Sequence, residues 1–273
     1  MTERAVVIDI SSHRQKPDFD LVAQQDLDAI ISRATLGVTY LDGEFERNAL
    51  ETRRIKKVRG AYMVPLMQLS LEIQVDFYLN TTEMFDEYDL PDAVDVERND
   101  WGLSPAQMRD GLKENLELLE DARNRKPDIY TGEWFWARHV VRDGVYPDWL
   151  DKYNLWHAQY PDTSNYDINL FRNFDWQPDQ RYIPKPWRPK SGLWQCSAYA
   201  RCAGIVGNTD VSLYPGTLAE MLAASGTKPL EDDGDDDNGG GEETLEQKVA
   251  KIQEDVTTLK ADVDDLEDFI HVG

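Results

Sequence analysis

The chain has 273 residues, 41% of them hydrophobic and 10% aromatic, and a net charge of −23. That is enough apolar material for one large core, or for one large domain with an appendage. The acidity excludes nucleic acid and anionic membrane as partners, because phosphate binding needs concentrated Lys and Arg; no apolar run is long enough to span a bilayer.

The charge is uneven. Residues 230–273 hold 16 acids and 3 lysines, a net of −13. The N-terminal stretch Met1 to Asp9 lacks a basic region followed by an apolar one, so no secretory signal is expected. Cys196 and Cys202 do not make a disulfide framework and are expected to be reduced thiols.

The first predicted strand is Ala5 to Ser11, a nearly continuous apolar run broken by Asp9. Such a run suits a parallel strand buried on both faces. A helix is expected over 18–25, a second strand over 29–35 leading to Tyr40, and a basic helix over 45–57. The third strand, Val58 to Val64, is stopped by Pro65. A helix over 70–83 precedes a short strand, Ala93 to Glu97. Ser104, Pro105 and Gln107 then read as an N-cap, an N1 proline and a capping-box glutamine for a helix reaching Asn124. Next come a strand at Asp128 to Gly132, a short helix near 134–140 and a strand at Asn154 to Tyr160. Residues 161–191 show no clear period. The last strands are expected at Gly192 to Tyr199 and Ile205 to Val211.

Strands alternating with helices imply a parallel sheet. About eight strands in this length fit a closed (β/α) barrel of TIM type, with irregular later βα units, better than an open sheet. No Gly-rich phosphate loop follows the first strand, which counts against a nucleotide-binding fold. The barrel is assigned to residues 1–224 and an acidic, Gly-rich linker to 225–243. A helix at 244–273 places Leu245, Val249, Ile252, Val256, Leu259, Val263, Leu266 and Ile270 in unbroken heptad spacing. That is a coiled-coil seam, so a homo-oligomer, dimer or trimer, is expected through 245–270.

Asp95 and Glu97 are two residues apart in a strand, so they project to one face roughly 6–7 Å apart. Two acids so placed repel each other and resist burial, which raises at least one pKa. That suits a general acid beside an ionised partner. Asp9 and Asp210 also sit at the ends of predicted strands, the mouth of such a barrel, where the first and last strands are neighbours. No spacing of His, Cys and Asp suggests a metal site, and no cofactor is expected. His157 reads as a core histidine.

Taken together, these pieces resemble the glycoside hydrolase family 25 lysozymes, the N-acetylmuramidases of Chalaropsis type. The similarity is carried by Val7 to Ser11, Ile31 to Tyr40, Gly60 to Tyr62, Asp95 to Glu97, Ile129 to Thr131, Leu155 to Tyr160, Trp194 to Ser197 and Asn208 to Val211. It spans about residues 5–215 and leaves out the linker and the heptad helix. Departures are Arg33 for lysine, Leu36 for glutamate, Met63 for histidine and Cys196 for tyrosine. The resemblance implies cleavage of the β-1,4 bond between N-acetylmuramic acid and N-acetylglucosamine in peptidoglycan. It assigns the carboxylate site to Asp9, Asp95, Glu97 and Asp210. Glu97 is expected as general acid/base; Asp95 is then the nucleophile or the group that orients the substrate's acetamido.

Sugar rings pack C–H faces on aromatic rings, so Tyr40, Tyr62, Tyr130 and Trp156 are expected along the glycan groove with Arg33 and Gln195. Trp134, Trp136, Trp176 and Trp187 have no clear place in it. The family implies peptidoglycan glycan strands as the partner. Without a signal peptide, a phage-type lysin reaching the cell wall by release or on a virion is expected, oligomerised or tethered by its coiled coil. The competing readings are a glycan-binding structural component without turnover and a chitin-type hydrolase.

Overall fold

The computed structural model describes residues 3–13, 16–161, 166–175, 177–185, 187 and 192–230. Trp176, the linker from Glu231 onward and the heptad helix lie outside the described residues.

The strands in chain order are β1 (Val6–Ile10), β2 (Ala29–Leu36), β3 (Tyr40–Leu41), β4 (Val58–Val64), β5 (Ala93–Asp95), β6 (Asp128–Gly132), β7 (Asn154–Ala158), β8 (Trp194–Ala200) and β9 (Thr209–Leu213). β3 is a two-residue antiparallel addition to β2. The other eight close a barrel, with β1 paired to β2 on one side and β9 on the other. From β1 through β2 and β4 to β8 the pairing is parallel.

The last strand corrects the sequence reading. β9 begins at Thr209 rather than Ile205 and runs antiparallel to both β8 and β1. The physical reason lies in the connection. Only Arg201 to Asn208 join β8 to β9, and a parallel crossover needs a dozen residues or more. Gly204 and Gly207 adopt φ of 91° and 85°, left-handed conformations open to glycine at little cost. They turn the chain where the sequence suggested a strand.

The helices are α1 (Phe19–Val22), α2 (Phe45–Arg54), α3 (Leu71–Thr81), α4 (Pro105–Arg123), α5 (Glu133–Phe135) and α6 (Leu218–Ser225). α5 runs on into a π-helical turn at Trp136–Val140. The predicted capping box on α4 is formed: the Ser104 hydroxyl accepts from the Gln107 N–H, and the Gln107 side chain accepts from the Ser104 N–H. Each such cap is worth about 1 kcal/mol. α6 was not expected. It carries the same device at Thr217 and Glu220, a signal present in the sequence.

Period-2 alternation sorts the strand residues into two layers. Val6, Ile8 and Ile10 of β1 pack outward with Phe19, Val22 and Phe171. Val7 points inward to a cluster with Ile31, Ala93, Tyr130 and Trp156, which Met221 and Leu222 of α6 extend. Asp9 shares the parity of Val7, so it faces the interior two residues further toward the mouth. A second outer cluster packs α2, α3 and α4 on the barrel and buries Trp136 and Trp187 edge to face, 5.1 Å apart. Cys196 and Cys202 are buried free thiols, each pushed up to about 12 by burial. No helix among the described residues is long and apolar enough to cross a membrane.

Candidate active site

The barrel brings the four predicted carboxylates to one groove of about 600 Å³. Asp95 ends β5, and Glu97 follows in the loop. Asp9 and Asp210 face each other across the antiparallel β1–β9 ladder. Asp210 therefore reaches the mouth from the start of its strand, not from the end as expected. Reversing the strand keeps the acid at the same end of the barrel.

Asp95 is 7% exposed. Burial holds its carboxyl well above the usual range, and the charges of Glu97 and Asp9 add to that; Arg33 and Arg98 pull the other way. Its Oδ1 is buried without a hydrogen-bond partner. Glu97 reaches solvent at the groove mouth, yet the surrounding walls crowd it. Desolvation and the Asp210 charge raise its carboxyl, against Arg98. Groups that repel in this way release their protons in separate steps.

Gln195 is held on three sides. Its Oε1 accepts from Tyr130 at 2.8 Å and from Tyr160 at 2.6 Å, and its Nε2 donates to Asp9 Oδ2 at 2.7 Å. The Asp9 carboxylate, which can only accept, identifies the nitrogen end of the amide, and the two hydroxyls donate to its oxygen. Trp156 stands edge-on to Tyr130 at 4.8 Å and to Tyr62 at 6.4 Å, and its indole donates to Ser212 at 2.8 Å. Tyr62, Tyr130, Trp156 and Gln195 all line the groove. Tyr130 and Trp156 are 9% and 2% exposed, so they act as wall and floor rather than open platforms.

Arg33 also lines the groove, but its Nε donates to buried Asp42 at 2.9 Å. Tyr40 is not among the lining residues. It is 41% exposed, lies under the guanidinium with its ring 5.2 Å away, and bonds to Ser12 at 3.0 Å. It braces Arg33. Of the departures from the family pattern, Leu36 lines the groove. Met63 is buried, with Asn115 donating to its sulfur at 3.8 Å. His157 is buried beside Trp194 and pushed down to about 4, so it stays neutral in the core.

The sequence reading missed His13, Arg98 and Tyr160, which also line the groove. Tyr160 had a signal: it lies at even spacing from Trp156, the parity that faces the interior. Arg98 stood beside Glu97 but on the opposite parity.

The model for glycosyl hydrolases family 25 matches residues 8–205, a span that holds Asp9, Asp95 and Glu97. The "Uncharacterized protein YegX" of Escherichia coli K12 is 27% identical over 79% of this chain and 71% of its own length. Lysozyme M1 of Streptomyces globisporus is 24% identical over 79% of this chain and 69% of its own. The bacterial lysozyme of Streptomyces coelicolor superposes with a TM-score of 0.66, covering 81% of this chain and 97% of that one at 22% identity. The matched span, the barrel and its carboxylate groove agree, and the chain belongs to glycosyl hydrolases family 25 and is a glycosidase.

Proposed function

We propose that this glycosidase is a muramidase, cleaving the β-1,4 bond between N-acetylmuramic acid and N-acetylglucosamine of peptidoglycan with assistance from the substrate's own acetamido group. The observation that carries the reading is the Asp95–Glu97 pair in the family 25 groove. Asp95 is deep, with one oxygen unpartnered; Glu97 is at the mouth.

Asp95, the deeper of the pair, competes with Glu97 for a proton. A muramyl acetamido N–H donated to Asp95 Oδ1 favours the ionised form of Asp95. The proton then rests on Glu97, which faces the glycosidic oxygen. The bond from C1 to that oxygen breaks, its electron pair stays on the oxygen, and Glu97 supplies the proton. The acetamido oxygen bonds to C1, giving an oxazolinium whose N–H Asp95 holds. Glu97, now ionised, takes a proton from water as the water opens the ring at C1, with net retention. Gln195, fixed by Tyr130 and Tyr160, keeps Asp9 in place beside Asp210.

The finer reading is a phage-type lysin, released at lysis or carried on a virion, with the heptads at 245–270 oligomerising or tethering it. The acidic charge gives no electrostatic pull to an anionic wall, which favours tethering. Sedimentation of the full chain tests this part; a monomer at every concentration removes self-association.

Release of reducing ends from purified sacculi tests the chemistry. Wild type should release muramic acid ends, and Glu97→Gln should lower kcat by at least about 10³-fold with an unchanged melting temperature. A Glu97→Gln rate near wild type rejects the assignment. A folded wild type that binds sacculi without releasing ends points to a glycan-binding component instead.

A further inference from the structure

Trp134 is 62% exposed, while Tyr130 and Trp156 of the groove are buried. Its position is built. The register that pairs Asp95 with Tyr130 continues in two bonds, from the Val96 N–H to the Tyr130 carbonyl at 2.8 Å and from the Thr131 hydroxyl to the Val96 carbonyl at 2.7 Å. The next residues along the two chains are Glu97 and Gly132. The indole of Trp134 rests on Gly132: a Cβ added there would meet its Nε1 at 2.3 Å. The φ of Gly132 is −109°, which any residue adopts, so the glycine is required by the ring and not by the backbone.

The ring is also backed. Phe135, itself buried, stands edge-on to it at 5.7 Å and packs on His139 at 4.7 Å. The amide nitrogen of Asn99 lies 3.3 Å from His139 Nδ1, which ties the loop after Glu97 to the turn that carries Trp134. An exposed indole is thus held just after β6, the strand that pairs with the one leading to the proton donor.

We propose that Trp134 is the stacking platform for the leaving-group sugar, the N-acetylglucosamine ring whose O4 receives the Glu97 proton. This rests on the muramidase reading, which puts the departing sugar on the side of Glu97. An N-acetylglucosamine ring carries no peptide stem, so a C–H face is free to lie on the indole. The platform binds the departing sugar, setting affinity and strand length preference, while the buried tyrosines and Asp95 hold the sugar that reacts.

The test measures kcat and KM on soluble, peptide-free glycan strands. Trp134→Ala should raise KM about tenfold, equivalent to about 1.4 kcal/mol, with kcat within about threefold of wild type. Trp134→Phe should restore most of the loss. Gly132→Ala should imitate Trp134→Ala, because its new methyl displaces the ring. Indole fluorescence with the same strands gives binding without turnover, read as Kd for Glu97→Gln and for Glu97→Gln with Trp134→Ala. A KM within twofold of wild type in Trp134→Ala or Gly132→Ala, or an unchanged Kd, overturns the platform. A wild type that releases no reducing ends, with Kd still raised tenfold by Trp134→Ala, keeps the platform and rejects the muramidase reading.

Discussion

Both ends of the barrel gather acids, and they treat them in opposite ways. At the floor, Asp89 receives Arg59 at 2.6 and 2.9 Å and Arg53 at 2.8 Å, and Asp92 receives Arg123 at 3.2 Å. At the mouth, Asp95 and Glu97 have no such contact, and the nearby guanidinium of Arg33 is engaged by Asp42. Burial raises the Asp89 carboxyl as it raises Asp95, but guanidiniums in direct contact work against it at Asp89, whereas at Asp95 Arg33 and Arg98 act only through space. Asp128 supports this comparison. It is a floor acid bonded to Asn154 and not to an arginine, and burial pushes it up to about 6. A guanidinium in contact, not the end of the barrel, marks a structural acid; the mouth withholds that contact and keeps protons available.

The largest expected effect is at the mouth. Asp95→Asn should lower kcat on peptidoglycan about 10³-fold, because it removes the charge that stabilises the oxazolinium. It should also stabilise the fold at neutral pH. The sign follows from the raised pKa. Between the unfolded and folded pKa values the native state binds more protons, so stability falls as pH rises through that window. Asparagine removes this loss, so the gain should be present at pH 7 and vanish below about pH 4. Urea titrations of both proteins at two pH values check it. An Asp95→Asn protein less stable than wild type at pH 7 would mean that the carboxylate holds the fold together.

The floor should show the reverse. Arg59→Met leaves a buried carboxylate short of its bidentate partner, which typically costs about 3–5 kcal/mol. The figure should lie at the low end because Arg53 remains. The kcat and KM of the folded fraction should stay within about twofold of wild type. A kcat loss like that of Asp95→Asn would show that the two ends are coupled and that the comparison fails.

The same contrast explains what could be read in the sequence. Asp9, Asp95 and Glu97 were legible because strand periodicity sets the inward face and their places at or just beyond strand ends set the mouth. The direction of β9 was not, since an apolar alternation reads the same both ways; only the short, glycine-bearing connection from Arg201 to Asn208 carried that information. The role of Arg33 was hidden for another reason. A guanidinium is free or engaged according to its partner, and Asp42 becomes that partner only through the turn that folds β3 back on β2. The contact of Tyr40 with Arg33 was hidden for the same reason. α6 was legible in principle, from Thr217 and Glu220, but it follows a strand whose end had been set too early.

The smallest effect concerns Tyr160, whose hydroxyl is one of two that fix Gln195. Tyr160→Phe removes the 2.6 Å bond and leaves that of Tyr130 at 2.8 Å. One neutral hydrogen bond is worth about 0.5–1.5 kcal/mol, so kcat/KM should fall about threefold to tenfold with little change in melting temperature. With one hydroxyl left the amide still presents its nitrogen to Asp9. With both gone, Asp9 still faces the amide nitrogen, but nothing anchors the oxygen end and the side chain loses its fixed place. The double variant Tyr130→Phe with Tyr160→Phe should therefore lose more than the sum of the two single losses, by about 1 kcal/mol or more in a double-mutant cycle. Additive losses would mean that each tyrosine acts on its own. A single Tyr160→Phe loss as large as that of Asp95→Asn would place its hydroxyl on the reacting atoms rather than behind Gln195.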